Sequence, residues 1–122
     1  MFELTILTSF SSAHNLRGYN GACENLHGHN WRVEVSIKAE ATASDGMVMD
    51  FKELKADVKE IIASLDHKYL NETPPFDKQN PTAELISRHI YQALKASLAQ
   101  SGVSVNKVLV WESDNAGAAY YE

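Results

Sequence analysis

The chain has 122 residues, a length that suits one domain and leaves too little for two ordinary ones. Hydrophobic residues make up 44% of it and charged residues 22%, a balance that excludes an intrinsically disordered chain. The formal net charge of -5 does not favour nucleic acid or an anionic membrane surface as a partner. The sequence has no apolar run long enough to span a membrane and no secretion signal, so we expect a cytoplasmic protein.

Two strands are predicted in the first third of the chain. Residues 2–10 alternate between apolar and polar side chains, and residues 31–39 repeat this period of two more clearly. The segment 15–25 between them is rich in glycine and asparagine, so it is predicted to be a connection. A turn at residues 43–46 and a short extended piece at residues 47–49 are expected after the second strand.

Two helices are predicted in the middle of the chain. Asp50, followed by a glutamate three positions later, is typical of a helix start, and apolar residues at helical spacing continue to about residue 66. A loop with two adjacent prolines then leads to the second helix. We expect Asn80 to cap this helix, Pro81 to occupy its first position and Gly102 to end it.

The last part of the chain is predicted to return to strands, at residues 103–111 and 118–121. The order ββααββ indicates an α+β fold in one domain, with a four-stranded antiparallel sheet and both helices on one face. The strand at 103–111 is apolar on both parities, so both of its faces need cover. Because the helices cover one face only, we predict that a neighbouring subunit covers the other.

Three histidines have the parity of the predicted buried face. His27 and His29 continue the apolar side of the second strand if that strand extends back to them, and His14 continues the apolar side of the first. Provided that no bulge intervenes between residues 10 and 14, three imidazoles then face inward together. Three protein ligands with a fourth position left open are typical of a catalytic zinc site. The alternative is that these histidines make ordinary hydrogen bonds.

Cys23 is the only cysteine, so an intrachain disulfide is excluded. It precedes His27 by four residues, which leaves four roles open: a fourth zinc ligand, a nucleophile, a base, or a small buried apolar residue.

Two further positions carry chemistry. An adjacent pair, Asp66 and His67, either orients an imidazole for proton transfer or simply ends the first helix with a solvated acid and a cation. Glu112 follows the buried parity of the third strand, and a buried carboxylate needs a partner. That partner is either structural or a ligand with two parallel N–H donors.

Six motifs in order along nearly the whole chain resemble those of the 6-pyruvoyl-tetrahydropterin synthase family. They are residues 10–14 (FSSAH), 23–29 (CENLHGH), 49–55 (MDFKELK), 65–71 (LDHKYLN), 80–84 (NPTAE) and 111–113 (WES). The three residues between the cysteine and His-Gly-His resemble the bacterial 6-carboxy-5,6,7,8-tetrahydropterin synthase branch, which belongs to queuosine precursor synthesis.

The resemblance implies a tunnelling fold, and a homohexamer of two trimers with active sites shared between subunits. The implied reaction converts 7,8-dihydroneopterin triphosphate to 6-carboxy-tetrahydropterin, acetaldehyde and triphosphate. A pyruvoyl-forming or side-chain-cleaving synthase is the near alternative, since the same zinc and base suit it. A non-catalytic pterin-binding module is the distant one.

The resemblance also implies roles for individual residues. It assigns zinc binding to His14, His27 and His29. It makes Cys23 the base and Asp66 with His67 a second acid/base relay on the other side of the substrate.

For the substrate, the resemblance makes Glu112 the anchor of the pterin ring, with Thr82 and Glu84 assisting in that pocket. Arg17 and Lys52 are candidates for binding the triphosphate on charge alone.

Overall fold

The computed structural model describes residues 1–18 and 25–122. Its elements are the strands β1 (Phe2–His14) and β2 (His27–Ala39), the helix α1 (Phe51–Ala63), a single 3-10 turn (Leu70–Glu72), the helix α2 (Ala83–Ser97), and the strands β3 (Ser104–Ser113) and β4 (Ala116–Tyr120). None of the helices in these described ranges is long and apolar enough to cross a membrane. The predicted order of strands and helices is confirmed.

The four strands form one antiparallel sheet in the order β1-β2-β3-β4. β1 and β2 pair without interruption from Phe2 opposite Ala39 to His14 opposite His27. The second strand therefore extends back to the histidines, and no bulge interrupts β1 between residues 10 and 14. These are the two conditions on which the inward orientation of the three histidines depends.

Both helices cover the same face of the sheet, which confirms the predicted α+β architecture. α1 packs on β1, α2 packs on β3 and β4, and the two helices contact each other. The core is made of the inward residues of the strands and the apolar stripes of the helices. Its fully buried members include Trp31, Val33, Val35, Val108 and Val110 from the sheet, and Leu54, Ile86, Ile90 and Leu94 from the helices.

Helix α1 begins as predicted, because the Asp50 carboxylate accepts a hydrogen bond from the backbone N–H of Lys52 at 2.8 Å. The helix ends at Ala63, earlier than predicted. The chain tightens there, with the Leu65 N–H donating to the Ile62 carbonyl three residues back. The expected extended piece at residues 47–49 is wrong, since residues 48 and 49 lie in a bend and none of the three pairs with a strand of the sheet among the described residues.

Helix α2 begins two residues later than predicted. Its N-cap is Thr82, whose hydroxyl oxygen accepts from the Leu85 N–H at 3.1 Å. Asn80, the predicted cap, is instead bound to the backbone of Arg17. The helix ends at Ser97, and Gly102 lies in the turn before β3 with a positive φ of 81°.

The sheet face opposite the helices carries partly exposed apolar side chains, as the two-sided apolar pattern of β3 predicts. Leu109 and Trp111 lie there in β3, and Leu7 of β1 is 64% exposed. Within the described ranges, no helix or strand of the chain packs over this face. Its cover by a neighbouring subunit stays a prediction.

Candidate metal centre

Four potential metal ligands converge at one end of the sheet. The strand register places His14 opposite His27, and His29 lies two residues further along the same face of β2. Glu112 reaches them from the end of β3. One ligand atom from each of these four side chains lies within 4.8 Å of those of the other three. The described residues therefore contain a group that can hold a metal ion.

The donor atoms are close enough to share one ion. The Nε2 atoms of His14 and His27 are 3.0 Å apart. The Oε1 atom of Glu112 lies 2.9 Å from Nε2 of His29, 3.5 Å from that of His14 and 3.9 Å from that of His27. Such a concentration of lone pairs is costly without a cation or a proton between them.

Hydrogen bonds on the far side of two rings orient them for coordination. Nδ1 of His14 lies 2.7 Å from the Pro81 carbonyl, and Nδ1 of His27 lies 2.6 Å from the Asn25 carbonyl. Because a carbonyl oxygen only accepts, Nδ1 carries the proton in both rings and Nε2 of the neutral imidazole keeps its lone pair. In this tautomer both Nε2 atoms can act as metal ligands.

His29 provides the clearest test of whether a metal fits. Its Nε2 atom is buried and, although 2.9 Å from Glu112 Oε1, makes no hydrogen bond of regular geometry with the described residues. Burial is the largest influence on this group and lowers the pKa of His29, while the Glu112 carboxylate opposes that effect. A buried imidazole nitrogen that faces two other imidazoles and a carboxylate completes a donor set that divalent transition metals prefer.

Glu112 lies on the same face of the sheet as the histidines. Val110 pairs with Val33, so Glu112, two residues further along β3, continues the inward face. The register with β4 shifts between Trp111 and Ser113, which makes Glu112 the extra residue of a bulge on that side. Its inward parity was predicted from the sequence, with a ligand's N–H groups as the partner, but its proximity to the metal ligands was not.

A cavity of about 270 Å³ opens beside this centre. Glu112 and Glu84 both line it, together with Ala83 and the first residues of β4. Thr82, also predicted to assist in the pocket, has its hydroxyl oxygen at the N-terminus of α2, where it accepts from the Leu85 N–H. Two carboxylates facing one small cavity suit a ligand that presents several N–H donors.

Asp66 and His67 contact each other but lie away from the histidine centre. Asp66 Oδ1 is 3.0 Å from His67 Nδ1 and accepts from the backbone N–H of Ser11 at 2.9 Å. The hydrogen bond from the Ser11 N–H is the main cause of the lowered pKa of Asp66, and the contact with His67 contributes less. The Asp66 carboxyl group therefore stays ionised. The His67 side chain is 82% exposed. The segment 65–68 follows the free edge of β1, so the pair faces solvent in a single chain.

The remaining predicted residues have different outcomes. Cys23 lies outside the described residues. Lys52 is exposed in the first turn of α1. The Arg17 guanidinium donates to the backbone carbonyls of Asn71, Phe76 and Gln79. Three of its five N–H donors are thus engaged by backbone carbonyls, and a role for Arg17 in binding the triphosphate stays a prediction.

Comparison with known proteins agrees with this arrangement. The family model described as 6-pyruvoyl tetrahydropterin synthase matches residues 3–122. The chain is 37% identical to a 6-carboxy-5,6,7,8-tetrahydropterin synthase of Synechocystis sp., with 93% of this chain and 88% of the relative covered. It is 31% identical to the Haemophilus influenzae protein of the same name, with 100% of both covered.

Two further relatives differ in their stated activities. A dihydroneopterin monophosphate aldolase of Pyrococcus furiosus is 33% identical, with 89% of this chain and 88% of the relative covered. The solved structure of Caenorhabditis elegans 6-pyruvoyl tetrahydropterin synthase superposes with a TM-score of 0.89 at 25% identity, with 99% of this chain and 95% of that chain covered. Because the family model spans almost every residue, the chain belongs to the 6-pyruvoyl tetrahydropterin synthase family.

Proposed function

We propose that this protein is a zinc-dependent lyase that converts 7,8-dihydroneopterin triphosphate and water to 6-carboxy-5,6,7,8-tetrahydropterin, acetaldehyde and triphosphate. The observation that carries the proposal is the convergence of three imidazoles and the Glu112 carboxylate beside a small cavity. Relatives named 6-carboxy-5,6,7,8-tetrahydropterin synthase over nearly the full length support the choice of reaction. The product would serve queuosine precursor synthesis in the cytoplasm.

The metal would be held by His14, His27 and His29, which leave the open coordination position that a catalytic zinc site needs. Bound zinc would act as a Lewis acid toward the hydroxyl oxygens of the substrate side chain. The hydrogen bonds from His14 and His27 to backbone carbonyls would hold both rings in the ligating tautomer.

The pterin ring would occupy the cavity that Glu112 and Glu84 line. An ionised carboxylate only accepts hydrogen bonds, so Glu112 matches the amino group and ring N–H that a pterin presents side by side. Its position next to the imidazoles would place the ring's side chain at the metal centre.

Proton transfer would need two groups. Cys23, as thiolate, would remove a proton from the substrate side chain, and the Asp66–His67 pair would exchange a proton on the opposite side. Asp66 accepts from Ser11 and contacts His67, so it would orient that imidazole. Because His67 faces solvent in one chain, the pair would serve a site completed by a neighbouring subunit, in a homohexamer of two trimers.

A second reaction is favoured by a specific relative, the dihydroneopterin monophosphate aldolase of Pyrococcus furiosus. An aldolase would cleave the substrate side chain between its first two carbons and release a two-carbon aldehyde that keeps the phosphate chain. Such a cleavage needs the same Lewis acid and base. The 6-pyruvoyl product of other family members is the third possibility, and non-catalytic pterin binding the last.

The test is incubation of the zinc-loaded protein with 7,8-dihydroneopterin triphosphate, with mass spectrometry of the pterin and an assay for the released aldehyde. We expect 6-carboxy-tetrahydropterin and acetaldehyde in equal amounts, and neither from the His27→Ala variant. A pyruvoyl product, or a phosphorylated two-carbon aldehyde in place of acetaldehyde, would contradict the proposed reaction and leave the metal site intact. Pterin binding without turnover would instead indicate a non-catalytic pterin-binding module.

A further inference from the structure

The residues that follow His14 are bound to a distant loop by side-chain hydrogen bonds. Arg17 Nη1 donates to the Gln79 carbonyl at 3.0 Å, and Nη2 donates to the carbonyls of Asn71 at 3.0 Å and Phe76 at 2.8 Å. One guanidinium therefore binds three backbone carbonyls, one in the 3-10 turn and two in the loop between that turn and α2. A planar group with five N–H donors suits this task, whereas a lysine ammonium does not.

Asn80 completes the connection from the side of the loop. Its Oδ1 accepts from the Arg17 backbone N–H at 2.8 Å, and its Nδ2 donates to the Arg17 carbonyl at 2.9 Å. The Asn80 amide thus pairs with both backbone groups of Arg17, as a neighbouring strand would. We call these two residues, with their hydrogen bonds, the Arg17–Asn80 clamp.

The clamp lies next to the one contact that orients His14. Pro81, the residue after Asn80, provides the carbonyl that accepts from His14 Nδ1 at 2.7 Å. His14 is 1% exposed, so its ring has no alternative partner in solvent. Pro81 precedes the N-cap of α2, and its carbonyl is not part of the helical hydrogen-bond ladder that starts at Thr82. Its position depends on the loop that the clamp holds.

We propose that Arg17 and Asn80 are positioning residues for the metal centre, which set the direction of the His14 imidazole through the Pro81 carbonyl. The inference rests on the proposed metal site. A partner behind a metal-ligating histidine keeps the ring in its ligating orientation and tautomer, and loss of such a partner weakens metal binding about 10- to 100-fold. Loosening the clamp would free the Pro81 carbonyl and produce part of that effect without touching a ligand.

The test uses Asn80→Ala and Arg17→Lys, with Thr73→Ala as the matched control. Thr73 lies in the same loop and donates from its hydroxyl to the Tyr69 carbonyl at 2.9 Å, away from Arg17, Asn80 and His14. Zn²⁺ affinity is measured by competition with a chelator, and the ligand geometry by the visible absorption spectrum of the Co²⁺-loaded protein. Thermal unfolding of the metal-free proteins reports the loss of stability separately.

We expect Asn80→Ala to bind Zn²⁺ about 10-fold or more weakly than the unaltered protein and to change the Co²⁺ spectrum. Arg17→Lys keeps the charge but cannot bind three carbonyls in the same geometry. Its Zn²⁺ affinity should therefore also fall, by a smaller factor than that of Asn80→Ala. Thr73→Ala should keep the original affinity and spectrum even where its stability falls.

The inference would be overturned if both clamp variants lost stability but kept the affinity and Co²⁺ spectrum of the unaltered protein, or if Thr73→Ala weakened metal binding as much. Failure of the unaltered protein to bind any divalent ion would refute the proposed metal site and the inference together. Normal metal binding by the clamp variants refutes the inference alone. If Asn80→Ala does not fold, Arg17→Lys decides.

Discussion

Substitution of Cys23 is the clearest test of whether the protein is an enzyme or a non-catalytic pterin-binding protein. Three imidazoles and Glu112 already offer four donors, so the metal centre does not need a thiolate. We therefore expect Cys23→Ala to retain its metal and lose turnover by at least about 100-fold, as removal of a general base does. Metal content and the rate of product formation are measured on the same preparation.

The comparison for Cys23 is His27→Ala, which removes a donor of the centre and should lose metal and activity together. Loss of metal from Cys23→Ala would make the thiolate a ligand and contradict its assignment as base.

Glu112 has two candidate roles, pterin anchor and metal ligand, because its carboxylate is 2.9 Å from His29 and also lines the cavity. Glu112→Gln keeps the size of the side chain but replaces one acceptor with a donor. It would then face the ring N–H groups with its own N–H. We expect the KM for the pterin substrate to rise about 10-fold or more, since hydrogen bonds to charged groups are among the stronger ones.

Chelator competition distinguishes the two roles. Zn²⁺ affinity of Glu112→Gln close to that of the unaltered protein supports the anchor role. A loss of affinity equal to that of His27→Ala would instead make Glu112 the fourth ligand.

Thr82, at the start of helix α2, has both a structural role and a proposed functional role. Its hydroxyl caps the helix, and the same residue is a candidate for the substrate pocket. Asp50 caps α1 with the same kind of bond but faces no proposed substrate. Loss of either cap should reduce the free energy of unfolding by about 1 kcal/mol. We expect Thr82→Ala alone to raise the KM as well.

The free energy of unfolding of Thr82→Ala and Asp50→Ala is measured by urea denaturation, and the KM of each variant is measured alongside. Thr82→Ser keeps the hydroxyl, so its free energy of unfolding and its KM should stay close to those of the unaltered protein. Equal KM values for the two alanine variants would show that Thr82 is a cap and nothing more.

The segment 65–68 is an element in its own right, since it extends the sheet edge by hydrogen bonds to β1. Ser12 donates from its hydroxyl to the Leu65 carbonyl, the His67 N–H donates to the Ser11 carbonyl, and the Ala13 N–H donates to the Lys68 carbonyl. His67 has a positive φ of 55°, which is uncommon for a residue with a side chain. These bonds hold His67 in that conformation and direct the Asp66–His67 pair outward.

At the scale of the whole molecule, one sheet face has no cover from residues 1–18 and 25–122, with Leu7 exposed and Arg32 stacked over the Trp111 ring at 4.8 Å. The Trp111 indole N–H has no hydrogen-bond partner among the described residues. Burying such a face favours association, and we expect a homo-oligomer at micromolar concentration. Light scattering measures its mass, and a charged side chain in Leu7→Glu should shift the protein toward smaller species. A strictly monomeric protein would contradict the prediction.

The proposed sharing of active sites between subunits is tested by mixing two inactive variants. Cys23→Ala and His67→Ala should each lack activity. Refolding them together should restore part of it, because some sites would then combine an intact Cys23 with an intact His67. Activity no higher than that of the separate variants would place both groups in one subunit's site.

Local patterns were sufficient to predict most of the elements and the three histidines. The period of two in a strand is set by the backbone, so His14, His27 and His29 were oriented correctly from parity once β1 and β2 were extended. The Asp50 cap was predicted for a similar reason, since its partner is the backbone two residues away. These features depend on neighbours in the chain, which a sequence displays directly.

The remaining features depend on contacts between distant parts of the chain. Glu112 meets His29 because β2 and β3 pair side by side, and no local pattern encodes which strands pair. Asn80 has the composition of a helix cap, but Arg17 engages its side chain from 63 residues away, so Thr82 caps α2 instead. Folding thus decided where each polar group found its partner, because a buried donor or acceptor takes the nearest satisfying group in space rather than in sequence.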